Sequence, residues 1–107
     1  MQLTLKHNRS KEEAIKIIDG YADELISQNY TWVTIVDPKK EWDENIIRFS
    51  FTAKKIMMSI EFEGMVIVTD QEAVLSMDLP ELVERFVSEE EIKENITKEF
   101  NKLFNIN

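Results

Sequence analysis

Hydrophobic and polar residues alternate with a period of two through much of the chain, and this alternation predicts a β-sheet. In a pleated strand, successive side chains point to opposite faces, so each such run has one apolar and one polar side. Leu3 and Leu5 share one side of the first run, and Ile47, Phe49 and Phe51 share one side of a later run. Such half-buried strands are typical of an antiparallel sheet. The predicted strands cover residues 2–6, 30–36, 46–52, 56–69 and 73–78.

Two further segments repeat their apolar residues every three or four positions, which predicts amphipathic helices over residues 11–28 and from about 88 to 104. Each begins with a capping box, Ser10 with Glu13 and Ser88 with Glu91, in which the serine oxygen accepts from a free backbone N–H group. A short helical turn is also predicted after Pro80, because proline suits the first turn of a helix.

The predicted order of elements is therefore β-α-β-β-β-β-α. This order indicates an α+β fold, in which a single antiparallel sheet of about five strands is packed by an N-terminal helix and a long C-terminal helix. With 107 residues, the chain has the length of one domain, and we expect a single α+β domain over residues 1–107.

Turn-forming residues set the predicted ends of the strands. The pair Asp37-Pro38 predicts the end of the second strand and a polar loop over residues 37–44, which contains Trp42. Residues 53–55 predict the loop of a hairpin. Gly64 interrupts the alternation of the following strand and predicts a bulge or bend.

Both faces of the predicted sheet are partly apolar, so a second apolar face is expected opposite the main core rows. Five apolar residues are predicted on that second face, namely Ile46, Met57, Val66, Val68 and Val74. If they are exposed, a partner, a second subunit or another apolar surface must cover them. Trp42 is a further candidate because exposed aromatic residues are enriched at binding hot spots, but we expect its ring rather to fold back over the edge of the sheet. Trp42, Met57, Val66, Val68 and Val74 are therefore the candidates for a partner or ligand surface.

Composition excludes several classes of function. Thirteen basic and twenty-one acidic residues give a formal charge of −8, which disfavours nucleic acid as a partner. The chain has no cysteine and no apolar run near the roughly 20 residues that span a bilayer. Its first residues lack the apolar segment of a signal peptide, so we expect a cytoplasmic protein without a membrane span.

The sequence offers little catalytic chemistry. His7 is the only histidine, and we expect it to have a structural role at the end of the first strand, where it packs or caps the first helix. No serine stands in a Gly-x-Ser-x-Gly turn, which disfavours a hydrolase. No catalytic residue, metal ligand or cofactor is predicted, and we expect a protein that is not an enzyme.

Several residues together resemble the polyhydroxyalkanoic acid system family, a group of small bacterial proteins. The resemblance rests on His7 with Ala14, a tryptophan before the strand with Ile46-Ile47-Arg48-Phe49, the run GMVIVTDQEAVLSMDLP at residues 64–80, and the ending with Ile92, Ile96, Leu103 and Phe104. Either Trp32 or Trp42 matches the family tryptophan. Members are often encoded beside genes for polyhydroxyalkanoate granule synthesis, and the resemblance implies that context rather than an activity.

Two functions follow from these patterns. The first is a non-enzymatic cytoplasmic accessory protein of polyhydroxyalkanoate metabolism or granules, which binds an apolar granule surface or forms a homodimer through the second face. The alternative is a carrier that holds an acyl-like ligand in an apolar cavity between the sheet and the C-terminal helix. A filled interior with an exposed sheet face favours association, whereas an enclosed apolar cavity favours a carrier.

Overall fold

A computed structural model describes residues 1–27, 33–55, 57–85 and 87–106 of the chain. It contains one antiparallel sheet with an N-terminal and a C-terminal helix, in the predicted order of strands and main helices, and this confirms the predicted fold class. The predictions for Tyr30, Trp32 and Ile56 lie outside the described residues. The elements are β1 (Gln2–Lys6), α1 (Lys11–Ser27), β2 (Thr34–Asp43), β3 (Ile46–Lys55), β4 (Met58–Val68), β5 (Glu72–Asp78), α2 (Glu81–Glu84) and α3 (Glu89–Leu103).

The strands lie side by side in the order β1-β5-β4-β3-β2, and every neighbouring pair is antiparallel. Strands β1 and β2 are therefore the two edges of the sheet. Helix α1 connects these edges and contacts β4 on its way, while α3 packs along β1. We call the face that carries the helices the inner face and the opposite face the outer face.

The core lies between the helices and the inner face. Phe100 and Phe104 stack with their ring centroids 4.4 Å apart and pack against Leu5, Val68 and Ala73 of three adjacent strands. Ala14 of α1 is fully buried in the same cluster. The predicted C-terminal stripe is thus confirmed to pack on the sheet, together with α1.

Both predicted helix starts are confirmed. Ser10 Oγ accepts from the Glu13 N–H at 3.2 Å, and Ser88 Oγ accepts from the Glu91 N–H at 3.2 Å. Each hydroxyl satisfies a backbone donor that has no partner within its helix. The second cap lets α3 begin afresh after the short α2, so the chain changes direction between them.

The predicted end of the second strand at Asp37-Pro38 is wrong. The register of β2 against β3 shifts between Val36 and Lys39, and β2 then continues to Asp43. Asp37 has a φ of 50°, which fits a bulge. An edge strand tolerates proline because one side of it has no ladder to donate to. The predicted polar loop 37–44 is therefore mostly strand.

The predicted bulge at Gly64 is also wrong. Strand β4 pairs in unbroken register with β3 from Met58 to Ile67, and Gly64 lies opposite Phe49. A Cβ on Gly64 would lie 2.6 Å from Cζ of Phe49 and 3.0 Å from the carbonyl oxygen of Ser76. Gly64 therefore provides space for the Phe49 ring, and the alternation of β4 continues unchanged beyond it.

The predicted hairpin loop at residues 53–55 belongs to strand as well. Lys55 pairs with Met58, so β3 and β4 extend to the very end of their hairpin. Strand β5 pairs with β4 only from Glu63 onward. The hairpin therefore projects beyond β5, where Phe51 and Phe62 stack across the strands with centroids 5.0 Å apart.

We expect Gly64→Ala to lower the free energy of unfolding by about 1–3 kcal/mol, the usual cost of overpacking. In a Phe49→Leu background the cost should shrink, because the contacting ring atom is gone. Denaturant unfolding of the two single variants and the double variant measures this coupling. An equal cost in both backgrounds would contradict the assigned packing.

Gly20→Ala is the matched control. A Cβ at Gly20 meets nothing within 4 Å. Since alanine is favoured over glycine in a helix by about 1 kcal/mol, this substitution should stabilise the protein.

Candidate functional site

The outer face of the sheet carries a short apolar strip. Val74 of β5 pairs with Ile67 of β4, and Ile67 pairs with Ile46 of β3, so the three side chains form one row across the central strands. Met65 lies in the next row on the same face, opposite Ser76. All four residues are half-buried. Helices α1 and α3 both pack on the other face, so neither covers this strip.

An open depression of about 770 Å³ lies beside the apolar strip on the outer face. Its floor is formed by two neighbouring rows of side chains that run across the paired strands. Their charged residues have both signs. The positive ones are Lys39 and Arg48, and the negative ones are Glu41, Glu63 and Asp78. The outer face therefore combines a narrow apolar row with a wider polar area.

The structure separates the predicted surface residues. Val74 and Ile46 lie on the outer face, whereas the predicted placement of Val66 and Val68 on that face is wrong. Val68 is fully buried, and Val66 packs against the same core under the helices. Strand β4 has no bulge at Gly64, so the valines keep the phase of Phe62 and face the helices. Ile67 takes their place on the outer face, and the same alternation, continued through Gly64, would have identified it.

Trp42 lies on the inner face and forms part of a polar cluster with α1. Its indole N–H donates to Asp19 Oδ1 at 2.8 Å, and Lys40 Nζ donates to the same oxygen at 2.5 Å. Lys40 also pairs with Asp23 at 2.6 Å. The ring packs against the core, so Trp42 joins α1 to the edge strand rather than facing a partner.

This cluster shifts two pKa values. The hydrogen bond from Lys40, followed by that from Trp42, lowers the pKa of Asp19. The hydrogen bonds to Asp19 and then Asp23 raise the pKa of Lys40. Hydrogen bonds to a charged form favour that form, so both groups stay ionised across the neutral range.

Met57 stands at the tip of the β3–β4 hairpin and belongs to neither face. Its side chain is 98% exposed, and its φ of 64° lies in the left-handed region. Met58 beside it is 40% exposed. Met57 is therefore far from the apolar strip with which the prediction grouped it.

His7 has a structural environment. Its ring stacks on Phe104 with centroids 5.7 Å apart, and its Nε2 lies 2.7 Å from the carbonyl oxygen of Thr69. Its Nδ1 accepts from the Arg9 N–H at 3.2 Å. A carbonyl oxygen can only accept, so these partners assign the proton to Nε2 and the lone pair to Nδ1. Both ring nitrogens are engaged in joining β1, the turn after β4 and the entry to α1.

In the described ranges, no three acidic or histidine side chains come together as metal ligands. The same residues form no helix that is both long and apolar enough to cross a bilayer. Comparison of the chain with protein-family models, with curated proteins and with solved structures finds no match in any of the three. The resemblance to the polyhydroxyalkanoic acid system family thus stays a prediction.

We expect the Asp19 cluster to make stability depend on acidic pH. Ionised Asp19 stabilises the folded protein, because its folded-state pKa is lowered. This stabilisation is complete above the unfolded-state pKa of about 4 and is lost as pH falls through the folded-state pKa. Asp19→Asn should cost about 0.2–1 kcal/mol at neutral pH, since the carboxylate is partly solvated. It should also reduce the loss of stability on acidification.

Urea unfolding between pH 3 and pH 7 measures this effect. Asp70→Asn is the control, because Asp70 is exposed in the turn after β4. A pH profile of Asp19→Asn that matches wild type would contradict the assigned role of Asp19.

Proposed function

We propose that this protein is a non-enzymatic accessory protein that acts by association through the outer face of its sheet, and that it associates with polyhydroxyalkanoate granules. The observation that carries the proposal is the apolar strip of Ile46, Ile67 and Val74, which neither α1 nor α3 covers. The granule as target comes from the resemblance of the sequence. Under this proposal the protein works in the bacterial cytoplasm.

The chemistry of the strip suits an extended apolar surface. Branched side chains in one row give a regular contact line, and the flexible thioether of Met65 beside them adapts to irregular surfaces. The strip is short, so a single molecule would bind weakly.

The inner side of the sheet gives less support to a carrier. Phe100 and Phe104 fill the space where an acyl-like ligand would lie, and Phe104 is fully buried there. The depression of about 770 Å³ lies on the outer face and is open. The packed interior, and an outer face that neither α1 nor α3 covers among the described residues, therefore favour association.

The environment of His7 supports a non-enzymatic role. Its two ring nitrogens are occupied by the Thr69 carbonyl oxygen and the Arg9 N–H, and its ring packs on Phe104. A general base needs a nitrogen within reach of a substrate proton. His7 instead behaves as a buried structural side chain.

A second copy of the chain is the competing occupant of the outer face. The depression contains Arg48 and Lys39 as well as Glu41, Glu63 and Asp78, and such mixed charges suit an interface that pairs with itself. In that case the apolar strip would be covered in a homodimer and would not be free to meet a granule.

We expect Ile67→Gln to reduce binding to polyhydroxybutyrate particles about tenfold or more, because a large apolar side chain in the strip is replaced by a polar one. Co-sedimentation of purified protein with the particles measures the binding. Ser59→Gln is the matched control, since Ser59 lies on the same strand and face but outside the strip, and it should bind as wild type does.

Sedimentation equilibrium of wild type, Ile67→Gln and Ser59→Gln distinguishes the granule from a second copy of the chain as the partner of the outer face. A monomer whose particle binding depends on Ile67 supports the granule proposal. Particle binding that is absent, or equal in both variants, would overturn it, and a dimer dissociated by Ile67→Gln would assign the strip to self-association.

A further inference from the structure

The tip of the β3–β4 hairpin is the most exposed apolar feature among the described residues. Met57 is 98% exposed and Met58 is 40% exposed. A methionine side chain that is almost fully exposed contributes no buried apolar area to the folded state. Its burial on contact with an apolar phase would therefore be a net gain for binding.

Met57 is also poorly suited to its backbone conformation. Its φ of 64° lies in the left-handed region, where glycine, asparagine and aspartate are favoured. An asparagine here would form the turn more readily and would avoid exposing an apolar side chain. The tip thus departs from ordinary turn chemistry, and such departures mark sites whose residues serve a function other than folding.

The charge of the tip is opposite to that of the chain. Between residues 53 and 59 the only charged side chains are Lys54 and Lys55, in a chain of net charge −8. Both lysines are exposed, and neither takes part in an ion pair with another described residue. Two cations beside two exposed methionines match a phase that is anionic at its surface and apolar below it.

The β3–β4 hairpin extends beyond β5, so its tip stands clear of that neighbouring strand. The protein is 43 Å long and 26 by 22 Å across. Met58 lies eight residues from the core residue Val66 along β4, roughly 26 Å at the rise of a strand. The Debye length at physiological salt is about 8 Å, so charges farther from the tip than this are largely screened. The acidic residue nearest along β4 is Glu61, roughly 10 Å from Met58.

We infer that the β3–β4 hairpin tip, through Met57, Met58, Lys54 and Lys55, is an anchor for anionic phospholipid surfaces. The methionines enter the interface between headgroups and acyl chains, and the lysines pair with the phosphates. This lipid contact is separate from the outer-face strip, and it stands whether or not the strip binds a granule.

The test is binding to vesicles of phosphatidylcholine with phosphatidylglycerol, compared with vesicles of phosphatidylcholine alone. We expect binding to the anionic vesicles that weakens with added salt. Met57→Asn should reduce it about tenfold or more, and Lys54→Gln with Lys55→Gln should reduce it about 25-fold, at roughly fivefold for each lysine. Lys98→Gln on the exposed surface of α3 is the control and should leave binding unchanged.

Met57→Asn keeps this test free of folding artefacts. Because asparagine suits a left-handed φ, the variant should unfold at the same denaturant concentration as wild type or at a higher one. Equal vesicle binding by wild type and Met57→Asn, or no binding to either kind of vesicle, would overturn the proposal.

A fluorescent probe reports the depth of the tip directly. The chain has no cysteine, so Met57→Cys and Lys98→Cys each give a single labelling site for an environment-sensitive dye. A blue shift with anionic vesicles at position 57 and none at position 98 is expected. A shift at neither position would contradict insertion.

Ile67→Gln should leave vesicle binding intact, which separates this proposal from the granule proposal.

Discussion

Strand β4 pairs with β3 from Met58 to Ile67 without a break, and this continuous register fixes which face of the sheet each neighbouring side chain occupies. It directs Val66 and Val68 to the helices and Ile67 to the outer face. The register persists through Gly64 because the missing side chain is replaced by the ring of Phe49 from the adjacent strand. Both the core and the candidate binding face depend on this cross-strand contact.

The sequence predicts best those features that depend on nearby residues. The caps at Ser10 and Ser88 each involve a donor three residues away, so their spacing is visible in the chain. The helix stripes and the order of strands and helices along the chain follow from periodicity in the same way. These local signals are sufficient to predict the fold class.

The wrong predictions concern residues whose behaviour is decided by a distant partner. Gly64 interrupts the pattern in the sequence, but Phe49 lies 15 positions earlier and makes the glycine compatible with a regular strand. In the sequence, Trp42 stands in a polar stretch that resembles a loop, and only the structure shows that Asp19 of α1 accepts its indole N–H. Pro38 ends a strand only if that strand is internal, and the sequence does not show that β2 is an edge.

The edge positions of β1 and β2 have a consequence for assembly. Strand β1 is only five residues long, and β2 is interrupted by the bulge between Val36 and Lys39, which includes a proline without an N–H group. Neither border presents a long, straight row of free donors and acceptors, which is what an incoming strand requires as a template. Copies of this chain are thereby protected from joining border to border into fibres, even at high local concentration.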